Sequence, residues 1–178
     1  TEAHRPRVAF VTGEYPPQVG GVGDHVALLR ETLEQMGVTT WVITGTTPEL
    51  EVDHPRTARM MRRWGFSRMT ALMRRLQEIN PDVVHLQYQS GAFGLSAAVN
   101  LIPRFIRMGR VEAKTVTTLH DLRTPYVFPK AGMLRRFLVR RTAKDSDGVI
   151  FVSPEDAREL MKQDLPIGEV SPLDSTVA

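Results

Sequence analysis

Short apolar runs alternate along the chain with stretches in which apolar residues return every three or four positions. The runs show no regular polar alternation, which is typical of strands that are buried on both faces of a parallel sheet. The best-defined runs are residues 8–11, 39–44, 82–87, 114–119 and 148–152. Helical spacing is clearest in two stretches, the first formed by Val26, Leu29, Leu33 and Met36 and the second by Met69, Leu72, Met73, Leu76 and Ile79.

Weaker patterns predict one further strand and one irregular helix. Residues 57–64 are expected to form an edge strand. Residues 95–108 are expected to form a helix that Pro103 kinks or divides, because proline cannot donate the intrahelical hydrogen bond.

The last third of the chain contains two predicted helices and a tail. Residues 132–144 form a basic helix in which Phe137 and Leu138 are expected to pack inward. Residues 153–163 begin with proline and acidic residues, which favour a helix start. Residues 165–178 lack periodicity and are expected to form a linker rather than a further element.

This alternation, with about six strands and six helices, predicts an α/β fold. The expected architecture is Rossmann-like and doubly wound, with a mainly parallel sheet and helices on both faces. In such sheets ligands bind beyond the carboxyl ends of the strands. Three strands end in residues that could bind a ligand at this edge. The first leads into the loop that contains Gly20, Gly21 and Gly23, another carries His85 and Gln87, and a third ends in His120 and Asp121.

The composition is that of a globular protein with a moderate basic bias. The 178 residues are 42% hydrophobic and 24% charged, with no cysteine and a formal net charge of +3. The lack of cysteine excludes disulfides and thiolate zinc sites and fits a cytoplasmic setting. Clustered arginines favour acidic partners, namely sugar phosphates or an anionic membrane surface, whereas no aromatic signature supports nucleic acid. No cluster has metal-ligand spacing, so no metal site is expected.

The segment from the first strand into the first helix is the strongest candidate for a ligand site. Gly20, Gly21 and Gly23 precede or open a helix that Asp24 is expected to cap. A glycine loop at a helix N-terminus offers converging amide groups to an anion, although such a loop also occurs for strand–helix packing alone. A dinucleotide fingerprint is disfavoured because Val26 replaces the third glycine, and no Walker lysine follows.

Four motifs in order resemble the N-terminal domain of family 4 glycosyltransferases. They are Pro-Pro-Gln-Val-Gly-Gly-Val-Gly-Asp-His at residues 16–25, Pro-Asp-Val-Val-His at 81–85, Leu-His-Asp at 119–121 and Ile-Phe-Val-Ser at 150–153. This resemblance implies a retaining, nucleotide-sugar-dependent enzyme of the two-domain glycosyltransferase-B fold, with no separate cofactor. Residues 1–166 would form the acceptor-side domain, and residues 167–178 would lead to an absent C-terminal domain.

The resemblance also implies roles for individual residues. Gly20, Gly21 and Gly23 would line the donor diphosphate, and His120 would lie near the transferred sugar. Asp24 and Asp121 would support the site or meet the acceptor, a carbohydrate or a lipid-linked molecule. Because the family's C-terminal domain supplies most donor contacts, we expect the isolated chain to be inactive.

The sequence leaves the roles of several residues and two alternative functions undecided. Glu14 and Tyr15 are acceptor candidates by loop position alone, His85 is expected to be structural, and His25 is either exposed or near the site. Gln18 stands where related α-glucan synthases carry lysine, which disfavours that activity. The alternatives are a stand-alone domain that binds a phosphorylated small molecule and a membrane-surface module built on the basic helix.

Overall fold

The strands form one parallel sheet whose order reverses at its centre. The computed structural model describes residues 4–46, 55–121, 129–161 and 170–172. Within these ranges, seven strands pair in the order β3-β2-β1-β4-β5-β6-β7, and all the pairs are parallel. The strands are β1 (Arg7–Thr12), β2 (Thr39–Gly45), β3 (Thr57–Met61), β4 (Val83–Gln89), β5 (Lys114–Asp121), β6 (Gly148–Phe151) and β7 (Val170–Pro172). The order reverses between β1 and β4, where ligands bind in doubly wound folds.

Helices cover both faces of the sheet, as predicted. They are α1 (Gly21–Gln35), α2 (Phe66–Ile79), α3 (Ile102–Phe105), α4 (Pro129–Asp145) and α5 (Pro154–Met161). On one face, α1 packs in a small core of Phe10, Val22, Val26 and Val42. On the other face, α2, α3 and α4 contribute to a much larger core, since the alternate residues of the same strands, such as Val11, Ile43 and Leu86, belong to it.

The segment between β4 and β5 is divided, as one form of the prediction allowed, and it is more irregular than a helix with one break. Leu95 has a positive φ of 60° and precedes the helical turns. The helical part begins as a 3₁₀ helix (Ala97–Leu101), continues through α3 with Pro103 in its first turn, and ends in a π-helical stretch (Ile106–Arg110). Proline at the start of α3 fits the division of the helix, because no intrahelical donor is needed at that position.

The prediction that Phe137 packs inward from α4 was wrong. Val139, Thr142 and Ala143 are buried, whereas Phe137 is 62% exposed and Leu138 is half-buried. The physical reason is that Val139 and Ala143 pack in the larger core on one stripe of the helix, where the hydroxyl of Thr142 also donates to Asn100 Oδ1 at 2.9 Å.

The arginines near the end of α4 have a structural partner. Asp145 is only 4% exposed, and Arg141 Nε lies 2.8 Å from its Oδ2. Arg104 and Arg107 approach Oδ1 of the same carboxylate at 3.8 and 3.6 Å. A buried carboxylate must be paired. Part of the basic bias therefore serves this ion cluster rather than an acidic ligand.

The tail contains a strand that the sequence pattern did not predict. Val170–Pro172 pairs in parallel with β6 as β7, although residues 165–178 were expected to form no element. Three residues are too few for a periodic signal, and pairing with an existing sheet edge supplies the backbone hydrogen bonds. The division into a domain ending at residue 166 and a linker stays a prediction. In the described part of the chain, no helix has the length and apolar character needed to cross a bilayer.

Candidate functional site

The first turn of α1 is capped by a distant carboxylate. The helix begins at Gly21 after Gly20, and no side chain at the cap position accepts a hydrogen bond. Glu14 Oε1 instead accepts hydrogen bonds from the backbone amides of Val22, at 3.1 Å, and Gly23, at 3.4 Å. These amides are among the four unpaired donors of the helix start. The prediction that Asp24 caps the helix was wrong, since Asp24 lies in the first turn and is exposed.

Two of the three glycines allow the chain to approach itself closely. A Cβ atom on Gly20 would lie 2.2 Å from Glu14 Oε1, and one on Gly23 would lie 3.1 Å from the backbone of Tyr15. A Cβ atom on Gly21 would meet no atom within 4 Å. The open space at this end of α1 is therefore beside Gly21. Gly20 and Gly23 lack a side chain because residues 14 and 15 pack directly against them.

Replacing Glu14 by alanine should lower the free energy of unfolding by about 1 kcal/mol, the usual cost of losing a helix cap. The cause is the loss of an anion at the positive end of α1 and of an acceptor for two amides. Urea denaturation of the 178-residue chain measures the change. Glu31→Ala is a matched control, because Glu31 is an exposed glutamate on the same helix. Equal stability of the Glu14 and Glu31 variants would contradict the capping role.

A row of polar side chains lies on the sheet face that α1 covers. Phe10 pairs in register with His85, and Thr12 pairs with Gln87, so these four residues share the α1 face of β1 and β4. His85 is 7% exposed and Gln87 is 0% exposed, which is unusual for polar residues in a strand that is otherwise apolar. The sequence places both residues near the strand end but does not show which face they occupy.

Two hydrogen bonds of the same geometry connect β4 to β5. His85 Nε2 lies 2.8 Å from the Thr118 hydroxyl, and Gln87 Oε1 lies 2.7 Å from His120 Nε2. In each pair the β5 residue is two positions beyond the register partner of the β4 residue. His120 is thereby held at the carboxyl end of β5, and His85 is buried and hydrogen-bonded within the sheet.

His25 from the second turn of α1 packs against His120. The two ring centroids are 5.0 Å apart and the planes meet at 78°. This contact brings the start of α1 and the end of β5 into one site. It also resolves the open question of His25, which lies near the site and is half-buried.

The histidines of this site are neutral at pH 7. Burial lowers the pKa of His120 to about 4, with a smaller contribution from the nearby His25. Burial also lowers the pKa of His85 to about 4, and the neighbouring His25 and His120 add to the effect. The pKa of His25 is lowered by burial as well. His120 is therefore suited to hydrogen bonding rather than to stabilising negative charge as a cation.

Tyr15 lies in a separate groove between α1 and the edge strand β3. The groove has a volume of about 420 Å³ and is lined by Tyr15, Pro16, Pro17, Arg30 and Arg59 among others. Arg30 donates to the Tyr15 hydroxyl at 3.3 Å, and the Arg59 guanidinium lies 5.9 Å from the centre of its ring. The predicted set of site residues thus divides, with Tyr15 in this groove and His120 on the other side of the α1 start.

The remaining predicted site residues are less informative. The backbone of Asp121 ends β5, but its side chain lies outside the described residues.

Gln87 is the direct partner of His120. The sequence pattern placed Gln87 at a strand end but gave it no role. Its polar character inside an apolar run was the available signal. Within the described ranges, no group of three or more histidine and acidic residues is close enough to hold a metal ion.

The fold resembles those of solved glycosyl-transfer proteins. The sucrose-phosphate synthase from Thermosynechococcus elongatus matches with a TM-score of 0.66 and 16% sequence identity over 94% of this chain and 47% of that one. An alpha-glucosyltransferase, solved in complex with UDP-glucose and DNA containing an abasic site, matches with a TM-score of 0.61 and 13% identity over 96% of this chain and 42% of that one. The chain therefore spans less than half the length of either protein.

Sequence comparison assigns the family. No curated protein is significantly similar to the chain in sequence. The model of Glycosyltransferase Family 4 matches residues 19–171, which include three of the four motifs completely and most of the first. The resemblance inferred from the motifs and the predicted fold class are both confirmed. The chain belongs to glycosyltransferase family 4.

Proposed function

We propose that this chain is the acceptor-side half of a retaining glycosyltransferase that moves a sugar from a nucleotide sugar to a hydroxyl acceptor. The observation that carries the proposal is the contact between His25 and His120, because it joins a helix N-terminus suited to phosphate with a neutral histidine at a strand end. Both lie beside β1 and β4, where the sheet order reverses and where ligands bind in this type of fold.

The donor diphosphate is proposed to bind at the start of α1. The space beside Gly21 is open, and the positive end of the helix attracts an anion. Glu14 already uses the amides of Val22 and Gly23. A diphosphate that used the same amides would have to displace a like-charged carboxylate, so the Gly21 side of the turn is the more favourable position.

His120 is proposed to contact the transferred sugar by hydrogen bonding. In the reaction, the bond between the anomeric carbon and the diphosphate breaks, and a bond to the acceptor oxygen forms on the same face. The acceptor hydroxyl passes its proton to an oxygen of the departing diphosphate, and the nucleoside diphosphate leaves. A neutral histidine orients the sugar but does not offset the charge of the departing diphosphate.

The cations for the leaving group are therefore proposed to come from a second domain. The matched solved chains are more than twice as long as the part that this chain covers. Large exposed apolar side chains lie in the segments that follow four of the strands, where such a domain would close the cleft: Val19, Phe66, Leu95 and Val152. We propose that the chain alone binds donor weakly and does not turn over.

Calorimetric titration with a panel of nucleotide sugars tests this proposal. The 178-residue chain should bind each of them weakly or not at all, whereas a full-length protein containing the chain should bind one of them and transfer its sugar. A stand-alone domain for a phosphorylated ligand predicts tight binding by the 178-residue chain. Tight binding with no gain in the longer protein would contradict the two-domain proposal.

A membrane-surface contact is a second candidate role. The observation that favours it is the exposure of Leu134 and Phe137, at 60% and 62%, on the basic helix α4. Because Phe137 is exposed, burial in the core does not explain an aromatic residue at this position of the helix. Sedimentation with anionic vesicles that showed no dependence on salt or lipid charge would exclude the contact.

A further inference from the structure

Gln87 is a buried polar side chain that contacts His120 and has no role in the proposed function. It is fully buried in β4, and its Oε1 atom lies 2.7 Å from His120 Nε2. Its own Nε2 group has no hydrogen-bond partner among the described residues. A buried amide group without a partner costs free energy. An apolar residue would avoid this cost, which indicates that the amide is kept for what its oxygen does.

The contact fixes where His120 carries its proton. An amide oxygen can only accept a hydrogen bond, so His120 Nε2 must be the protonated ring nitrogen. A neutral imidazole has one N–H group, and Nδ1 is therefore left as an acceptor. The parallel pair, His85 and Thr118, has no such effect, because a hydroxyl both donates and accepts. At Gln87 the orientation of the amide decides the tautomer, because the oxygen and not the NH2 group faces the ring of His120.

We propose that Gln87 is a positioning residue that holds His120 in the Nε2–H tautomer, with Nδ1 as the acceptor for a hydroxyl group of the transferred sugar. The sugar contact rests on the proposed function, whereas the tautomer does not. His25 packs edge-to-face on the same ring and restricts its rotation. Gln87 and His25 together hold the ring of His120 so that the lone pair of Nδ1 is available to the sugar while the ring stays neutral.

The tautomer can be measured directly by ¹⁵N NMR of the histidine rings in the 178-residue chain. We expect the His120 proton on Nε2 in the wild type and a mixture of tautomers in Gln87→Met, which keeps the length of the side chain but cannot accept. Gln87→Glu should restore the Nε2–H tautomer and raise the pKa of His120 by about one to three units, since its carboxylate accepts and carries charge.

Two variants serve as controls for the NMR measurement. Thr118→Val removes the equivalent contact of His85 and should leave the His120 tautomer unchanged. Gln35→Met makes the same substitution at an exposed position. A wild-type proton on Nδ1, or an unchanged His120 tautomer in folded Gln87→Met, would overturn the proposal. If Gln87→Met does not fold, an unchanged pKa of His120 in Gln87→Glu has the same consequence.

Kinetics in the full-length protein separate this inference from the proposed function. Gln87→Met should lower kcat about tenfold while the acceptor KM stays within about twofold, because a mispositioned hydrogen bond acts mainly on the reacting sugar. If His120→Ala leaves turnover unchanged, the role of His120 in the proposed function fails, but the tautomer result still stands. If the Gln87→Met tautomer changes and kcat does not, Gln87 is structural and the positioning role is wrong.

Discussion

His120→Ala in the full-length protein should lower kcat/KM by about a hundredfold, equivalent to about 2.7 kcal/mol of transition-state stabilisation. The reason is that His120 supplies a fixed, neutral hydrogen-bonding group in a partly buried site, held by Gln87 and packed on His25. Such a group needs no reorganisation during the reaction and is therefore worth more than a hydrogen bond to water. Steady-state sugar transfer with varied donor and acceptor measures the effect.

His4→Ala is the matched control for this substitution. His4 is 71% exposed and contacts Asp82, which precedes the amino end of β4, whereas His120 is near the carboxyl end of β5. Its removal should leave kcat/KM unchanged. His120→Asn is a second test, because it keeps a small polar group but cannot reproduce the ring position, and it should lose nearly as much activity as alanine. Wild-type turnover by a folded His120→Ala variant would show that the sugar is oriented by other residues.

The free energy of unfolding should fall steeply as the pH drops from about 6.5 towards 4. His85 and His120 have folded-state pKa values of about 4, below the value of 6.5 expected for the unfolded chain. Between these values the unfolded chain binds more protons, so acid favours unfolding, and the contribution is fully present only above pH 6.5. For the nearly fully buried His85 the loss is about 2 kcal/mol by pH 5 and about 3 kcal/mol at the acid limit.

Urea denaturation between pH 8 and pH 5 isolates this histidine effect. Carboxylates with lowered pKa values, among them Glu34, Asp82 and Asp147, lose their contribution mainly below this range. His85→Gln keeps a polar group that can bond to Thr118 but does not titrate, so it should remove the contribution of His85 and leave that of His120. A stability that is flat from pH 8 to pH 5 in the wild type would contradict the neutral, buried state of these rings.

The sequence predicted the architecture well because the decisive signals are local. Apolar runs without alternation identified the buried strands, and helical spacing identified α1 and α2. The convergence of the α1 start with His120 also followed from the rule that parallel strands end at one edge. The contact between His25 and His120 agrees with this rule.

The details that escaped prediction depend on contacts between distant residues. Glu14 caps α1 from a loop eight residues earlier, whereas a sequence pattern offers only the adjacent Asp24. Gln87 meets His120 through the register of β4 and β5, across 33 positions of sequence. The inward face of α4 includes Thr142, whose partner Asn100 lies 42 positions earlier in the sequence. Each of these depends on tertiary geometry.

The unequal cores on the two faces of the sheet have a consequence for motion. Among the described residues, the core on the α1 face has four buried apolar side chains and four partly buried ones, so displacing α1 exposes less apolar surface than displacing α2 would. Local opening is cheapest where few apolar contacts must be broken. The element that carries the proposed phosphate position is thus the one best able to shift against the sheet and adjust the width of the cleft, while the opposite layer stays rigid.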